Sequence, residues 1–348
     1  MAQVRSYTNA FEIVDYTEEL SIVPNSWTLL NDVGLFGEES MTTHTVTYEE
    51  QVHALGLIPD AVRGSKQYAN KDEIRKIHSY SIPHFPYTDA VLPQDIQGKR
   101  AFGSSTQAET TDAAIARKLL RVQRNFDITK EAARFATLTT GNVYSPSGIV
   151  TGNFFTDYGL TQVVVDFLLG TATTDIIGKC EAVTSSMQDN VVSGEVITGV
   201  VAYCSPEFFA KLISHAKVQT AYQYYIANEG QMILRQRAGQ NGVANNGGLY
   251  REFYFGGIRF IEVRTILGAG QRMVPAQDVV FVPTGTEGTF MTYYGPANKF
   301  DYVNTVAEKA YMWTYRDPKG ESISIDAETN FINVLRRPMM VVRGTTSN

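Results

Sequence analysis

Histidines, cysteines and a few basic clusters are the side chains of this 348-residue chain whose types and spacing could do chemistry. His78 and His84 lie six apart on one face of an extended segment, which invites a metal or acid–base reading. No third ligand is fixed by spacing, and a bare histidine pair without an orienting partner more often packs or hydrogen-bonds. Cys180 and Cys204 belong to no Cys-x-x-Cys pair and no Cys/His cluster. Two buried, inert thiols are therefore expected, and neither a disulfide framework nor a structural zinc site. Ser205 beside Cys204 lacks the glycines of a nucleophile elbow. Gly268-Ala269-Gly270 lacks the further glycine and helix start of a phosphate cradle, which makes it a turn. No catalytic residue, cofactor or metal ligand set emerges, and an enzyme is not expected.

One charge pattern could act at a distance from any cavity. At about 100° per residue, Arg117, Arg121 and Arg124 form a stripe opposite Ile115, Leu119, Val122 and Phe126. A solvated face is the plain reading. The sharper one is a stripe that meets polyanion without reading bases. The whole chain carries a net charge of −6, which argues against a dedicated nucleic-acid binder and leaves room only for local basic patches.

The element that must carry the stripe is a long helix. From about Thr106 to Thr140 there is no proline or glycine, Thr106-x-x-Glu109 offers a capping box, and Gly141-Asn142 supplies the stop. Its expected length, on the order of 45 Å, exceeds the usual globular helix. Just before it, Lys76–Gly103 contains Pro83, Pro86 and Pro93, which remove ladder donors and exclude both a helix and a central strand.

Upstream, residues 1–40 resemble an arm: an acidic cluster, then a short helix from Pro24-Asn25-Ser26 whose Trp27, Leu30 and Val33 share a face, ended by Gly34 and Gly37. The arm is too poor in apolar residues to fold alone. Its candidate anchors Trp27, Leu30 and Phe36 need a partner surface, either the chain's own body or a neighbouring subunit. Residues 41–55 alternate with period two, with Val46, Tyr48 and Val52 on one side, and residues 74–82 return after a polar tip. That long hairpin should lie on something, because an isolated hairpin is marginal in water.

Downstream, the expected elements are short strands in NVYSPSGIV and GNFFTDYG, and a helix over 174–187 with Ile176, Ile177, Cys180 and Val183 inward. A buried strand over 196–204 feeds a helix capped by Ser205-Pro206-Glu207. Strands follow at 252–263, 278–283, 289–294, 322–326 and 331–342, and the Gly239–Gly248 stretch reads as a glycine- and asparagine-rich loop. The class is α+β, in two domains or one large elaborated one. No apolar run reaches the length of a bilayer span, and the first 20 residues lack the apolar core of a secretory signal, so no membrane association and cytosolic synthesis are expected.

The order of these features, with Arg63-Gly64 in the hairpin tip, SIPHFPYTDAVLPQDIQGKRAFG, the long helix, VVAYCSPEFFAKL, YFGGIRFIEVR, VPTGTEGTFMTYYGPA and FINVLRRPMMVVRG, resembles the lambda-like major capsid protein E family of tailed bacteriophages. The resemblance implies the tailed-phage major capsid fold of the Hong Kong ninety-seven type. Its parts would be an N-terminal arm (1–40), an extended loop (41–103), a peripheral domain with the spine helix (104–171), an axial domain (172–288) and a return to the peripheral domain (289–348). It implies a protein that assembles with itself as hexamers and pentamers into an icosahedral shell around double-stranded DNA, with scaffolding and portal proteins as assembly partners and a decoration protein as a further one. Arg63, Lys66, Tyr68 and Lys71 on the loop become expected inter-subunit contacts, and Arg117, Arg121 and Arg124 expected neighbours of packaged DNA. Gly98, Gly103 and Gly141, flanking the spine, become candidate hinges. On the residues alone two rivals stay open: another virion component, such as a tail-tube or minor head protein, and a soluble enzyme with His78 and His84 in its site.

Overall fold

The computed structural model describes residues 28–52, 63, 74–99, 110–144, 151–191, 195–229, 235–237, 250–263 and 272–348. In chain order these form α1 (Leu29–Val33), β1 (Gly37–Ser40), β2 (Thr45–Val52), β3 (Ile74–Ser81), β4 (His84–Val91), α2 (Pro93–Ile96) and the long α3 (Thr111–Thr140). Then come α4 (Phe154–Asp157), β5 (Val164–Asp166), α5 (Ile176–Asp189), β6 (Gly199–Cys204), α6 (Pro206–Ser214) and α7 (Ala216–Glu229). The rest is strand: β7 (Arg235–Arg237), β8 (Tyr250–Phe255), β9 (Ile258–Glu262), β10 (Asp278–Thr284), β11 (Phe290–Tyr294), β12 (Tyr311–Arg316), β13 (Ile323–Leu335) and β14 (Val342–Thr345).

The architecture is built around a match of lengths. Helix α3 has 30 residues and strand β13 has 13. At about 1.5 Å and 3.3 Å per residue they span about 45 Å and 43 Å, so one can lie along the other for its whole length. They do so in the same direction. Ala114, Ile115 and Leu119 pack with Ile323, Ile325 and Val91. Val122 and Phe126 pack with Ala327, Ala133 with Phe331, and Phe135 and Leu138 with Ile332, Val334 and Leu335. Around β13 a five-stranded sheet forms: β12 on one side, β4 and β11 on the other, all antiparallel to it, and β1 parallel to β11. Among the described residues β4 pairs with β13 alone, so Pro86 sits in an edge strand, where proline is tolerated.

The second layer is a seven-stranded sheet in the order β5-β14-β10-β6-β9-β8-β7. Ile176, Cys180, Val183 and Met187 of α5 and Phe208, Phe209 and Leu212 of α6 bury against it. Both cysteines are buried there as free thiols, and burial pushes the Cys180 thiol up to about 12. The last strand, β14, belongs to this sheet although β11 to β13 belong to the other. The chain therefore crosses between the sheets after β10 and again after β13. The β2–β3 hairpin forms a third, two-stranded sheet.

Several elements differ from the expectations. α3 begins at Thr111, where Thr110 Oγ1 accepts the Ala113 N–H at 3.2 Å; Thr106 and Glu109 lie outside the described residues. Residues 93–96 form one helical turn, tolerated because Pro93 takes the first position. Phe154–Asp157 is a helical turn instead of a strand, started by Asn153 Oδ1 accepting from Thr156 N at 3.0 Å. The run 252–263 is a hairpin turning at Gly256-Gly257, both at positive φ. β13 is one continuous strand across 326–331, and α7 and β12 were not foreseen. Ile177 is exposed. Gly141 ends α3 at φ 70°, and a Cβ there would stand 2.4 Å from the Phe155 ring, so this glycine is a wedged stop and not a free hinge. Gly98 is also at positive φ, and Gly103 lies outside the described residues.

Candidate functional site: a buried clamp between the arm and the long helix

Thr28 begins α1 without a side-chain cap, so the N–H groups of the first turn need another acceptor. Glu131 on α3, a hundred residues away in sequence, supplies it. Its Oε1 accepts from Leu30 N at 2.7 Å and its Oε2 from Asn31 N at 3.0 Å, with the side chain fully buried. One helix thus caps another. Three residues on, and on the same face, Arg134 is 1% exposed. Its Nη1 donates to Asn31 Oδ1 at 2.6 Å, and its Nη2 to Glu38 Oε1 at 2.8 Å and Thr292 Oγ1 at 3.1 Å, while the guanidinium lies 5.1 Å over the Phe36 ring. Thr292 passes the network to Asn333 Oδ1 of β13 at 2.8 Å. Two residues of α3 therefore hold α1 and β1.

The electrostatics of the clamp divide in two. Burial pushes the Glu38 carboxyl up, but Lys309 at 2.5 Å, Lys130 and Arg134 outweigh it and hold it at about 2. Burial raises Glu131 to about 7, against its two backbone donors and Arg134. Burial likewise raises Asp127 and Asp32 and lowers Lys130. This is a cluster of compensated charges with no nucleophile and base in line. It can position a segment; it has no arrangement for turning over a substrate.

A second attachment holds the hairpin base without an ion pair. Tyr158 Oη donates to Tyr48 Oη at 2.8 Å, and Tyr80 Oη to Asp157 Oδ2 at 2.8 Å. The His78 ring stacks on Tyr158 at 4.4 Å, and Tyr80 packs on Phe154 at 5.2 Å. Gly152 permits the approach, since a Cβ there would stand 2.9 Å from the Tyr80 ring. Burial raises the phenols of Tyr48 and Tyr80 above their ordinary value.

Of the residues singled out by sequence, Leu30 and Phe36 are buried in the chain's own body, Phe36 edge-on to Phe290 at 5.6 Å. Trp27, Lys66, Tyr68 and Lys71 lie outside the described residues, and Arg63 is exposed in a turn. Arg117, Arg121 and Arg124 are exposed on α3, with Val122 and Phe126 buried beneath and Ile115 and Leu119 half-buried. His78 is in the aromatic stack, while His84 Nδ1 pairs with Asn330 Oδ1 at 2.7 Å, so the two histidines serve separate contacts. Among the described residues no cluster of three or more His, Cys, Asp or Glu could hold a metal ion. Glu131, Arg134 and Glu38 were missed. One signal existed: at 100° per residue Glu131, Arg134, Phe135 and Leu138 share a sector of about 100°, which puts two charges on a face that must be covered.

A family model described as phage major capsid protein E matches residues 13–346. The major capsid protein of Pseudomonas phage KPP10 is 43% identical over 354 residues, covering 99% of both chains. That of Salmonella phage Felix O1 is 24% identical, covering 97% of this chain and 96% of its own. Among solved structures, the capsid of Myoviridae phage XM1 superposes with a TM-score of 0.55 at 7% identity, covering 96% of each chain. The capsid of Ralstonia phage GP4 gives 0.52 at 13%, covering 100% and 99%. At such low identities these structures speak to the fold: tailed-phage capsid proteins share this mixed α+β architecture.

Proposed function

Since the chain belongs to the phage major capsid protein E family, and its role is that of a structural capsid protein and not an enzyme, we propose that its copies assemble as hexamers and pentamers into a closed icosahedral shell around double-stranded DNA. The observation that carries the proposal is that the likeness runs the length of the chain, arm and hairpin included. The surface supports it physically. Phe300 is 98% exposed, with Ile77, Val303, Val306 and Leu120 also open to solvent, and a chain with this many large apolar side chains outside suits one whose surface is covered by copies of itself. The protein would be made in the host cytoplasm and incorporated in the virion, with scaffolding and portal proteins directing closure and a decoration protein as a further partner. No helix among the described residues is long and apolar enough to cross a membrane.

The peripheral domain would comprise 104–171 and 289–348 and the axial domain 172–288, with β5 and β14 of the peripheral ranges joining the seven-stranded sheet and β4 of the extended loop joining the five-stranded one. Arg63, Lys66, Tyr68 and Lys71 would meet a neighbouring subunit. Arg117, Arg121 and Arg124 would face packaged DNA, through phosphate attraction that carries no base information.

Electron microscopy of the expressed protein, alone and then with the adjacent scaffold and portal genes, tests the reading. Closed shells or rings of five and six subunits are expected; dispersed particles or helical rods under both conditions would overturn it. In shells that do form, replacing the three arginines by glutamine should lower packaged DNA or its salt resistance, and unchanged packaging removes the stripe from the account.

A further inference from the structure

Besides the long passage from β4 through α3 to β5, two short links carry the chain between the sheets: 285–289 from β10 to β11, and 336–341 from β13 to β14. One carboxylate holds both. Glu195, in the lead-in to β6, has a side chain 1% exposed. Its Oε2 accepts from Glu287 N at 2.9 Å and its Oε1 from Thr289 Oγ1 at 3.2 Å, on the first link. The Arg337 guanidinium of the second link closes on Oε1. The links also touch each other directly: Arg336 N donates to Thr289 O at 3.0 Å, and Thr289 Oγ1 reaches Met340 Sδ at 4.0 Å. The first link turns tightly on itself. Gly285 and Gly288 have φ of 83° and 73°, conformations other residues resist.

We propose that Glu195 is a latch that fixes the angle between the two sheets, and that loosening it lets the seven-stranded layer rotate on the five-stranded layer. The physical reason is an asymmetry of cost. With the carboxylate in place, a backbone donor and a hydroxyl have their acceptor and the Arg337 charge has its counter-charge. Without it, the Glu287 N–H and the Thr289 hydroxyl lose their acceptor and the Arg337 charge its partner. The two layers also share an apolar core, in which Tyr203, Val280 and Val282 meet Phe290, Ile332 and Val334, and packed layers of this kind shift between discrete arrangements more readily than they deform continuously. The latch rests on the shell reading only for its consequence: subunits in rings of five and six need different sheet angles, and a latch restricts them to a few.

Hydrogen exchange on Glu195→Ala, in dissociated subunits and in shells, tests this. The Glu287 amide should exchange at least tenfold faster, while amides paired within β10, such as Val280, keep their rates; variant shells should show a broader spread of diameters than wild type. An unchanged Glu287 rate overturns the latch, and so does an equal rise throughout β10 and β11, which would mean general destabilisation. If Glu195→Ala does not fold, Arg337→Gln and Thr289→Val each remove one partner. Each should accelerate Glu287 exchange, and absence of acceleration in both overturns the latch. Failure of the wild-type protein to close shells would sink the shell reading, while the exchange rates would still decide the latch.

Discussion

The arm and the hairpin base are both extensions tied down on the same body, and they are tied by opposite chemistry. The arm is held by Glu131 and Arg134, two buried side chains making four hydrogen bonds to Leu30, Asn31 and Glu38. The hairpin base is held by stacked rings and two hydroxyl bonds among Tyr48, His78, Tyr80, Tyr158 and Asp157. A charge cluster concentrates its attachment in few atoms, and a low dielectric makes each loss expensive. A ring stack spreads it over area, so any one atom matters less. The arm should therefore come off in one step, and the hairpin base should weaken by degrees.

The largest expected effect breaks the clamp. Glu131→Ala strands two N–H groups of α1, at a cost of about 1–3 kcal/mol for each donor left without its acceptor. The Leu30 and Asn31 amides should lose exchange protection while the amides of β13 keep theirs. Retained protection at Leu30 would show that apolar packing by Leu29, Leu30 and Phe36 suffices without the carboxylate.

Next in size is the response to pH. Glu131 titrates at about 7 in the folded chain, against an ordinary value of 4.5. The folded state therefore holds the proton more tightly, so the stability from this group is fully present below pH 4.5 and lost as pH rises through 7. Two and a half units correspond to about 3 kcal/mol as an upper bound. Glu38 has the opposite sign: held at about 2, it contributes above pH 4.5, and that contribution is lost as pH falls through 2. Arm protection should thus peak near pH 4.5 and decline on both sides. The phenols of Tyr48 and Tyr80, raised by burial, contribute at neutral pH and lose that contribution only as pH climbs above the ordinary phenol range near 10. Acid-range titration followed by amide exchange at Leu30, and alkaline titration followed by tyrosine difference absorbance, would separate the two attachments. A single transition common to both would merge them.

What was legible in the sequence follows the range of the interactions. Helix α3 was readable because its evidence is local: thirty residues without proline or glycine, apolar residues at 115, 119, 122 and 126, and a stop at Gly141. The hairpin was readable for the same reason, with Val46 buried and Tyr48 half-buried on the side expected to be dry, and the order of motifs identified the family. The clamp was not, since Glu131 and Leu30 are 101 residues apart and only the folded sheet brings α1 across α3. Nor was the continuity of β13, because Asn330 reads as a turn residue until its Nδ2 is seen donating to Pro296 O at 2.9 Å and its Oδ1 pairing with His84. His78 and His84, six residues apart in the sequence, were drawn to different neighbours by strand pairing that the spacing alone does not encode.

The smallest effect sharpens the contrast most. Tyr80→Phe removes one hydroxyl bond, to an Asp157 that solvent can rehydrate, and leaves the ring on Phe154 and the cleft over Gly152 intact. The cost should be about 1 kcal/mol, the net worth of one hydrogen bond when its partner is not left buried. A double-mutant cycle with Asp157→Ala should return a coupling of that size, whereas the corresponding cycle of Glu131→Ala with Arg134→Met should return a larger one, because those two side chains are themselves buried and share Asn31 as a partner. Equal coupling energies in the two cycles would mean that the hairpin base is as concentrated as the clamp, and the distinction between an arm released in one step and a loop released by degrees would collapse.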